Sequence, residues 1–298
     1  MDNTIGFYPM NVGSIPARRA IMLVLALALS STVIAKPKPV APPASEARAV
    51  LLFDQKTNTI KEAVNIHKRL PIASISKLMT AYVVLESNAN LNEKITIVPQ
   101  TVQGSRSLRP GMVVTRRELL NMALIASDNL AAKMLADLHP SGYVEFMREM
   151  NRTAKRLGMI NTGFGDPSGL SVFNTSTAWD LHLLNTALTK YSIFNDAAMQ
   201  KTSTQYAYGK HGQLQQIVIR NTNALAGEYD IKVGKTGFTN PAGWCISLLI
   251  KHKGQEFDLI VLGVPTKKLR NDLVISKLKD YIVISDSAID QLEWSARY

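Results

Sequence analysis

Apolar and polar positions change their period several times along this chain. Two short apolar runs, Ala49-Val-Leu-Leu-Phe53 and Ala63-Val-Asn-Ile-His67, flank the turn-rich Asp54-Gln-Lys-Thr-Asn-Thr59, which predicts an early hairpin. From Ser76 to Leu85 the pattern turns helical. A polar segment from Glu86 to Gly111 holds one strand candidate, Ile95-Thr-Ile-Val98, and ends on the turn signal Arg109-Pro110-Gly111. Helices are predicted over 116–125, 129–138, 143–157 and 178–189, with Gly158 stopping the third and Gly163-Phe-Gly-Asp-Pro-Ser-Gly169 forming a loop. The last third differs. Runs at 229–233, 245–252 and 257–264 are apolar and β-branched, separated by turn residues, and read as neighbouring antiparallel strands before a final helix over 267–284. Strands at both chain ends around a block of helices predict an α+β fold, with one antiparallel sheet built from both termini and a helical insertion.

The N-terminus carries a separate pattern. Arg18-Arg19 precede a ten-residue apolar run, 20–29, and small residues lead to Ala35, the arrangement of a cleaved export signal over 1–35. A retained membrane anchor is disfavoured, because the run falls short of the roughly 20 residues that span a bilayer. The stretch up to Ala17 is long for a basic leader, so Met10 is an alternative start. Residues 36–47 read as a proline-rich tether, 48–284 as one folded domain and 285–298 as a short tail. At 298 residues with 46% apolar content, the chain can bury a core without disulfides, and no repeat or heptad period is present.

Charge narrows the partners. The net charge is +11, and without residues 1–35 the chain keeps 32 basic and 22 acidic residues, net +10. For an exported protein this points to an acidic polymer rather than nucleic acid. Cys245, the only cysteine, lies in an apolar run and is expected to be a buried, inert thiol. The five histidines have no metal-ligand spacing, so neither a metal nor another cofactor is expected.

Three short motifs carry the chemistry. Ser74-Ile-Ser-Lys77 sets a hydroxyl and an amine at i and i+3 on one helix face, with the serine at the N-terminus. A desolvated lysine there can take the serine proton, and free N–H groups at the helix start suit an oxyanion. Ser276-Lys-Leu-Lys279 repeats the spacing in mid-helix and reads as surface. Ser127-Asp-Asn129, between two helices, offers a proton relay and an amide for substrate, and equally a helix N-cap; the two readings can coexist. Lys235-Thr-Gly237 follows a strand candidate, with Thr236 able to bind a carboxylate and Gly237 admitting a close approach. A phosphate loop ending at Gly234-Lys235-Thr236 would need glycine where Tyr229 stands, and a helix where Phe238-Thr-Asn-Pro241 signals a turn.

In this order the motifs resemble those of penicillin-binding proteins and serine β-lactamases. Flanking stretches, Pro71-Ile-Ala-Ser-Ile-Ser-Lys-Leu-Met-Thr80, Leu157-Gly-Met-Ile-Asn-Thr162, Asp166-Pro-Ser-Gly-Leu170 and Lys235-Thr-Gly-Phe-Thr239, are more similar to the low-molecular-weight D-alanyl-D-alanine peptidases. Arg220-Asn-Thr-Asn223 looks most like the type-7 group, the D-alanyl-D-alanine endopeptidases, although Asp128 stands where relatives often carry Glu. The resemblance implies Ser74 as nucleophile, Lys77 as its base and Ser127 as proton relay. Asn129 would hold the substrate amide, Thr236 and Thr239 its carboxylate, and the N–H groups of Ser74 and Phe238 the oxyanion. Lys235 would attract the carboxylate and repel charge from Lys77. The implied partners are peptidoglycan peptide stems, with β-lactams as covalent inhibitors and no permanent membrane anchor. The chain is expected to lack the extra β-rich domain and amphipathic anchor of larger carboxypeptidases, and to be periplasmic. A β-lactamase would need a base for deacylation, and Asp180-Leu-His-Leu-Leu-Asn185 does not match the class A E-x-x-L-N motif. A silent binding domain would not need the intact nucleophile and base.

Overall fold

Strands from both ends of the chain meet in one five-stranded antiparallel sheet. The structure, a computed structural model, describes residues 47–281 apart from 100–104, 106 and 253. The export signal, nearly all of the tether and the tail lie outside the described residues. In chain order, β1 (Ala49–Asp54) and β2 (Thr59–Val64) form the first hairpin. β3 (Leu70–Pro71) leads through a 3-10 turn, Ala73–Ser76, into α1 (Lys77–Glu86). β4 (Lys94–Thr96) and β5 (Val113–Thr115) precede α2 (Arg116–Leu124), α3 (Asn129–Asp137) and α4 (Gly142–Arg156). There follow β6 (Thr175–Ser176), α5 (Ala178–Leu188), α6 (Ser192–Met199) and the hairpin of β7 (Thr202–Tyr208) and β8 (Leu214–Arg220). The chain then returns through β9 (Asp230–Thr239), β10 (Gly243–His252) and β11 (Gln255–Val264) to α7 (Lys267–Tyr281).

The main sheet has the order β2-β1-β11-β10-β9, so the first hairpin joins the last strands by pairing β1 with β11. Every residue of β1 is buried, which requires cover on both faces. Alternate side chains supply two cores: Leu51, Leu249 and Ile260 face the helical block. Leu52, Leu248 and Leu259 pack under α7 through Val274 and Leu278. α1 is buried nearly all round and forms the axis of the helical block. β9 is an edge of the main sheet, and α1 starts beside it at the end of the 3-10 turn.

The α+β fold is as expected, with local differences. β9 runs on to Thr239 instead of stopping at 233, because Gly234–Thr239 stays in register with β10. The β7–β8 hairpin and α6 were not expected. In β7 the large residues Tyr206 and Tyr208 face solvent and Gln205 and Ala207 face inward, so no apolar alternation marks the strand. Among the described residues no helix is long and apolar enough to cross a membrane.

Candidate active site

Ser74 sits in the 3-10 turn, half-buried, with α1 continuing from it. The turn is held between two glycines. A Cβ on Gly237 would lie 2.6 Å from Ile72 O and 3.1 Å from Ser74 N, and one on Gly169 would lie 2.0 Å from Ala73 O. Gly237 therefore admits the backbone of the turn itself, bringing Ser74 N against β9. Ala73, with φ of +49°, and Ser127, with φ of +57°, adopt left-handed conformations that L-residues occupy at some cost.

Lys77 is fully buried one helical step below Ser74. Its Nζ lies 2.9 Å from Ser74 Oγ, 2.7 Å from Asn129 Oδ1 and 2.6 Å from Ser168 O. The amide and peptide oxygens can only accept, so they take two N–H hydrogens and direct the remaining tetrahedral position at Ser74 Oγ. In the neutral amine that position is the lone pair. Burial pulls the Lys77 pKa down to about 7, against the opposing pull of Asp166 and Asp128.

At the α2–α3 junction the helix-cap reading of Ser127-Asp-Asn129 is met by the middle residue alone. Asp128 is the cap, its Oδ1 accepting from Ala131 N at 2.9 Å, which leaves Asn129 to meet Lys77 and Ser127 to meet Lys235. Lys235 Nζ donates to Ser127 Oγ at 2.9 Å and to Thr236 O at 3.0 Å. Burial lowers the Lys235 pKa, and repulsion from Lys77 and Arg270 lowers it further. Repulsion between the two buried amines works on both, and burial is the larger cause for each.

Around this centre Thr236 Oγ1 donates to Thr222 Oγ1 at 2.7 Å, and Thr239 Oγ1 accepts from Ala242 N at 3.3 Å. Phe238 is exposed and stacks on Trp244 with ring centroids 4.3 Å apart. Three contributors escaped the sequence reading. Ser168 acts through a backbone carbonyl, which no side-chain motif can show. Asp166 holds that carbonyl's loop by accepting from Ser168 N, Gly169 N and Ser171 N; an Asp two residues before Ser-Gly is the legible signal. Arg270, buried near Trp244, bonds Asn271 Oδ1 and Cys245 O and has no carboxylate partner among the described residues. Its pKa falls to about 10 through burial.

The decoys fall away. Ser276 is exposed on α7, and Lys235 lies within a strand with no helix after it. Cys245 is buried, with its thiol pushed up to about 11. Among the described residues no group of His, Cys, Asp and Glu could hold a metal.

A serine beside a buried amine of near-neutral pKa, faced by a second serine–lysine pair, has the makings of a serine acyl-transfer centre. Known proteins resemble this chain over most of its length. The chain matches the family described as D-alanyl-D-alanine carboxypeptidase (Peptidase_S11) over residues 36–266. It is 36% identical over 252 residues to the D-alanyl-D-alanine endopeptidase of Pseudomonas aeruginosa, covering 81% of this chain and 80% of that one. To the D-alanyl-D-alanine endopeptidase of Escherichia coli K12 it is 37% identical over 220 residues, 72% of this chain and 70% of that one. A variant of the Streptomyces K15 DD-transpeptidase superposes with a TM-score of 0.73 at 28% identity, over 80% of this chain and 98% of that structure. The chain belongs to the D-alanyl-D-alanine carboxypeptidase family and is a serine-type DD-peptidase, as its motifs implied.

Proposed function

We propose that this enzyme hydrolyses D-alanyl bonds of peptidoglycan stems through an acyl-enzyme on Ser74. The observation that carries the reading is Lys77 Nζ, 2.9 Å from Ser74 Oγ with its other two contacts filled by acceptors. Ser74 Oγ attacks the D-alanyl carbonyl carbon while its proton passes to neutral Lys77. The oxyanion develops between the N–H groups of Ser74 and Phe238. Ser127 gives its hydroxyl proton to the leaving amine and takes one from the charged Lys235 bonded to it, and the C–N bond breaks. Water then cleaves the ester: Ser74 takes back the proton held on Lys77, and the water's proton returns through Ser127 to Lys235. Asn129 holds the substrate amide. Lys235, Thr236 and Thr239 face the carboxylate next to the scissile nitrogen, and that carboxylate favours the charged form of Lys235.

Terminal D-Ala–D-Ala and D-Ala–diaminopimelate cross-links both present that carboxylate. The names of the two relatives favour the cross-link, and hence an endopeptidase. β-Lactams acylate the same serine and leave slowly, because the carboxylates near it among the described residues are held by other bonds. Asp180 is engaged by Asn161 N and Thr162 Oγ1, Asp166 by its own loop and Asp128 by the α3 cap. A deacylation rate above about 1 per second would instead indicate a β-lactamase. Residues 1–35 export the chain to the periplasm, and residues 48–284 form the catalytic domain.

Digestion of purified muropeptides tests the proposal. Wild type releases monomers from cross-linked dimers and Ser74→Ala does not. Loss of pentapeptide monomers with cross-links untouched would make the enzyme a carboxypeptidase. Equal digestion by wild type and Ser74→Ala, or none by either, would overturn the mechanism.

A further inference from the structure

The four-stranded sheet β4-β5-β7-β8 turns one face to solvent and carries aromatic side chains there. On β7, Tyr206 and Tyr208 are 46% and 41% exposed, two residues apart and so on one face. Across the strand pair they meet Gln216 and Leu214 of β8, both exposed. The tyrosines, Leu214, Val113, Thr115 and Lys94 line a groove of about 330 Å³. Exposed apolar and aromatic side chains gathered in a groove mark a binding surface. Its free charges are basic. Lys94 Nζ sits 5.0 Å from the centre of the Tyr208 ring, and Arg220 is exposed at the end of β8. The acid in the groove wall, Glu118, is already engaged: Oε1 accepts from Tyr206 N at 3.0 Å, and Oε2 from Thr115 N and Thr115 Oγ1. Glu93, next to Lys94, is paired with Arg116. The face also leads to the reacting groups. β8 runs about 20 Å from Leu214 to Arg220, and Thr222, two residues on, accepts from Thr236 Oγ1 at 2.7 Å.

We propose that this face binds the glycan strand of peptidoglycan while a stem of the same polymer occupies the site at Ser74. A sugar ring covers Tyr206 with its C–H face, its hydroxyl and acetamido groups bond the Gln216 amide, and stem carboxylates face Lys94 and Arg220. Other partners fit less well. A lipid surface would dry the Gln216 amide and the tyrosine hydroxyls, a basic partner meets Lys94 and Arg220, and a second copy brings the same two cations to a self-complementary contact. The groove has the volume of about eleven water molecules, the size of one N-acetylated sugar ring. This surface rests on the reading of peptidoglycan as substrate and adds a second contact with it.

Titration of the full-length Ser74→Ala protein with the β-1,4-linked tetramer of N-acetylglucosamine, a probe without peptide, tests the surface by NMR or calorimetry. The tetramer binds saturably with a Kd of about 1 to 10 mM, and Tyr206→Ala or Gln216→Ala, each at an exposed position, weakens it about tenfold. Lys94→Gln leaves tetramer binding unchanged but weakens co-sedimentation with intact sacculi about threefold, because only the sacculi bring carboxylates. With Ser74 in place, Tyr206→Ala slows release of cross-links from sacculi about fivefold, since the second contact no longer holds the polymer. Cleavage of sugar-free cross-linked peptides and acylation by a fluorescent penicillin stay unchanged in that variant. No saturable tetramer binding up to about 50 mM, or binding untouched in folded Tyr206→Ala and Gln216→Ala proteins, would overturn the surface and leave the cleavage mechanism standing. A concentration-dependent dimer that Tyr206→Ala dissolves would also overturn it, giving the face to a second copy. An enzyme that binds the tetramer through Tyr206 but cleaves no cross-linked peptide would keep the surface and overturn the mechanism.

Discussion

Asp128 combines two effects that one substitution separates. Its Oδ1 caps α3, and its charge, like that of Asp166, works against the burial that depresses Lys77. Asparagine caps as well as aspartate, and its amide can donate to Ser105 Oγ, which now donates to Asp128 Oδ2 at 2.8 Å. Asp128→Asn thus removes the charge and keeps the local bonding. Asp128 adjoins Asn129, whose Oδ1 is 2.7 Å from Lys77 Nζ. At an effective dielectric near 20, an ion pair not in direct contact interacts by about 2 kcal/mol, or about 1.5 pKa units, and solvent screening reduces this towards one. Lys77 must be neutral to accept the Ser74 proton, and its neutral fraction rises as pH passes upward through about 7. Loss of a neighbouring anion lowers that value, so the acid limb of the acylation profile moves down to about pH 6. At pH 6 the neutral fraction goes from about a tenth to about a half, a fivefold gain, while rates above about pH 8 coincide. The assay is the second-order rate of acylation by a fluorescent penicillin across this range. A melting temperature within about 3 °C of wild type confirms that the cap survives. An acid limb that stays in place or moves upward would refute Lys77 as the titrating base.

Gly237→Ala places a methyl 2.6 Å from Ile72 O, so the turn must leave β9. Acylation falls by about a hundredfold or more while circular dichroism is unchanged, and a near-normal rate would show that the close approach does not matter. Burial tends to raise the Asp166 carboxyl, but the hydrogen bonds from Ser168, Ser171 and Gly169 outweigh it and hold the pKa below the usual value. That stabilisation is complete above the unfolded pKa of about 3.9 and is lost as pH falls through the folded one. Below about pH 4, melting temperatures of wild type therefore fall more steeply than those of Asp166→Asn; parallel curves would contradict this. The Cys245 thiol, held near 11 by burial, stays unmodified by an aromatic disulfide reagent at pH 8 and reacts fully in guanidinium. Rapid labelling of the native protein would show that the strand opens.

Much of this protein was readable where one segment sets its own environment. The apolar runs of β1, β10 and β11 announced an antiparallel sheet built from both chain ends, and α1 announced itself by its period. The β7–β8 hairpin was hidden because its outward residues are the larger ones, and β9 was cut short because the apolar run ends at Val233, and only pairing with β10 carries the strand on through Lys235-Thr-Gly237. Ser127-Asp-Asn129 was ambiguous for a similar reason. Aspartate caps the helix only if asparagine is wanted elsewhere, and that depends on where Lys77 lies.

The sequence by itself determined the spacing of Ser74 and Lys77, because three residues along a helix is a local distance that the backbone imposes. It also determined the family, whose motifs are strings of neighbouring residues. Only the tertiary structure decided the chemistry of those residues. Ser127 and Lys235 reach the site from distant segments, the Ser168 carbonyl arrives on a loop tied down by Asp166, and Gly169 and Gly237 let three pieces of backbone touch. The near-neutral pKa of Lys77 comes from burial, and burial belongs to the packed molecule rather than to any stretch of chain.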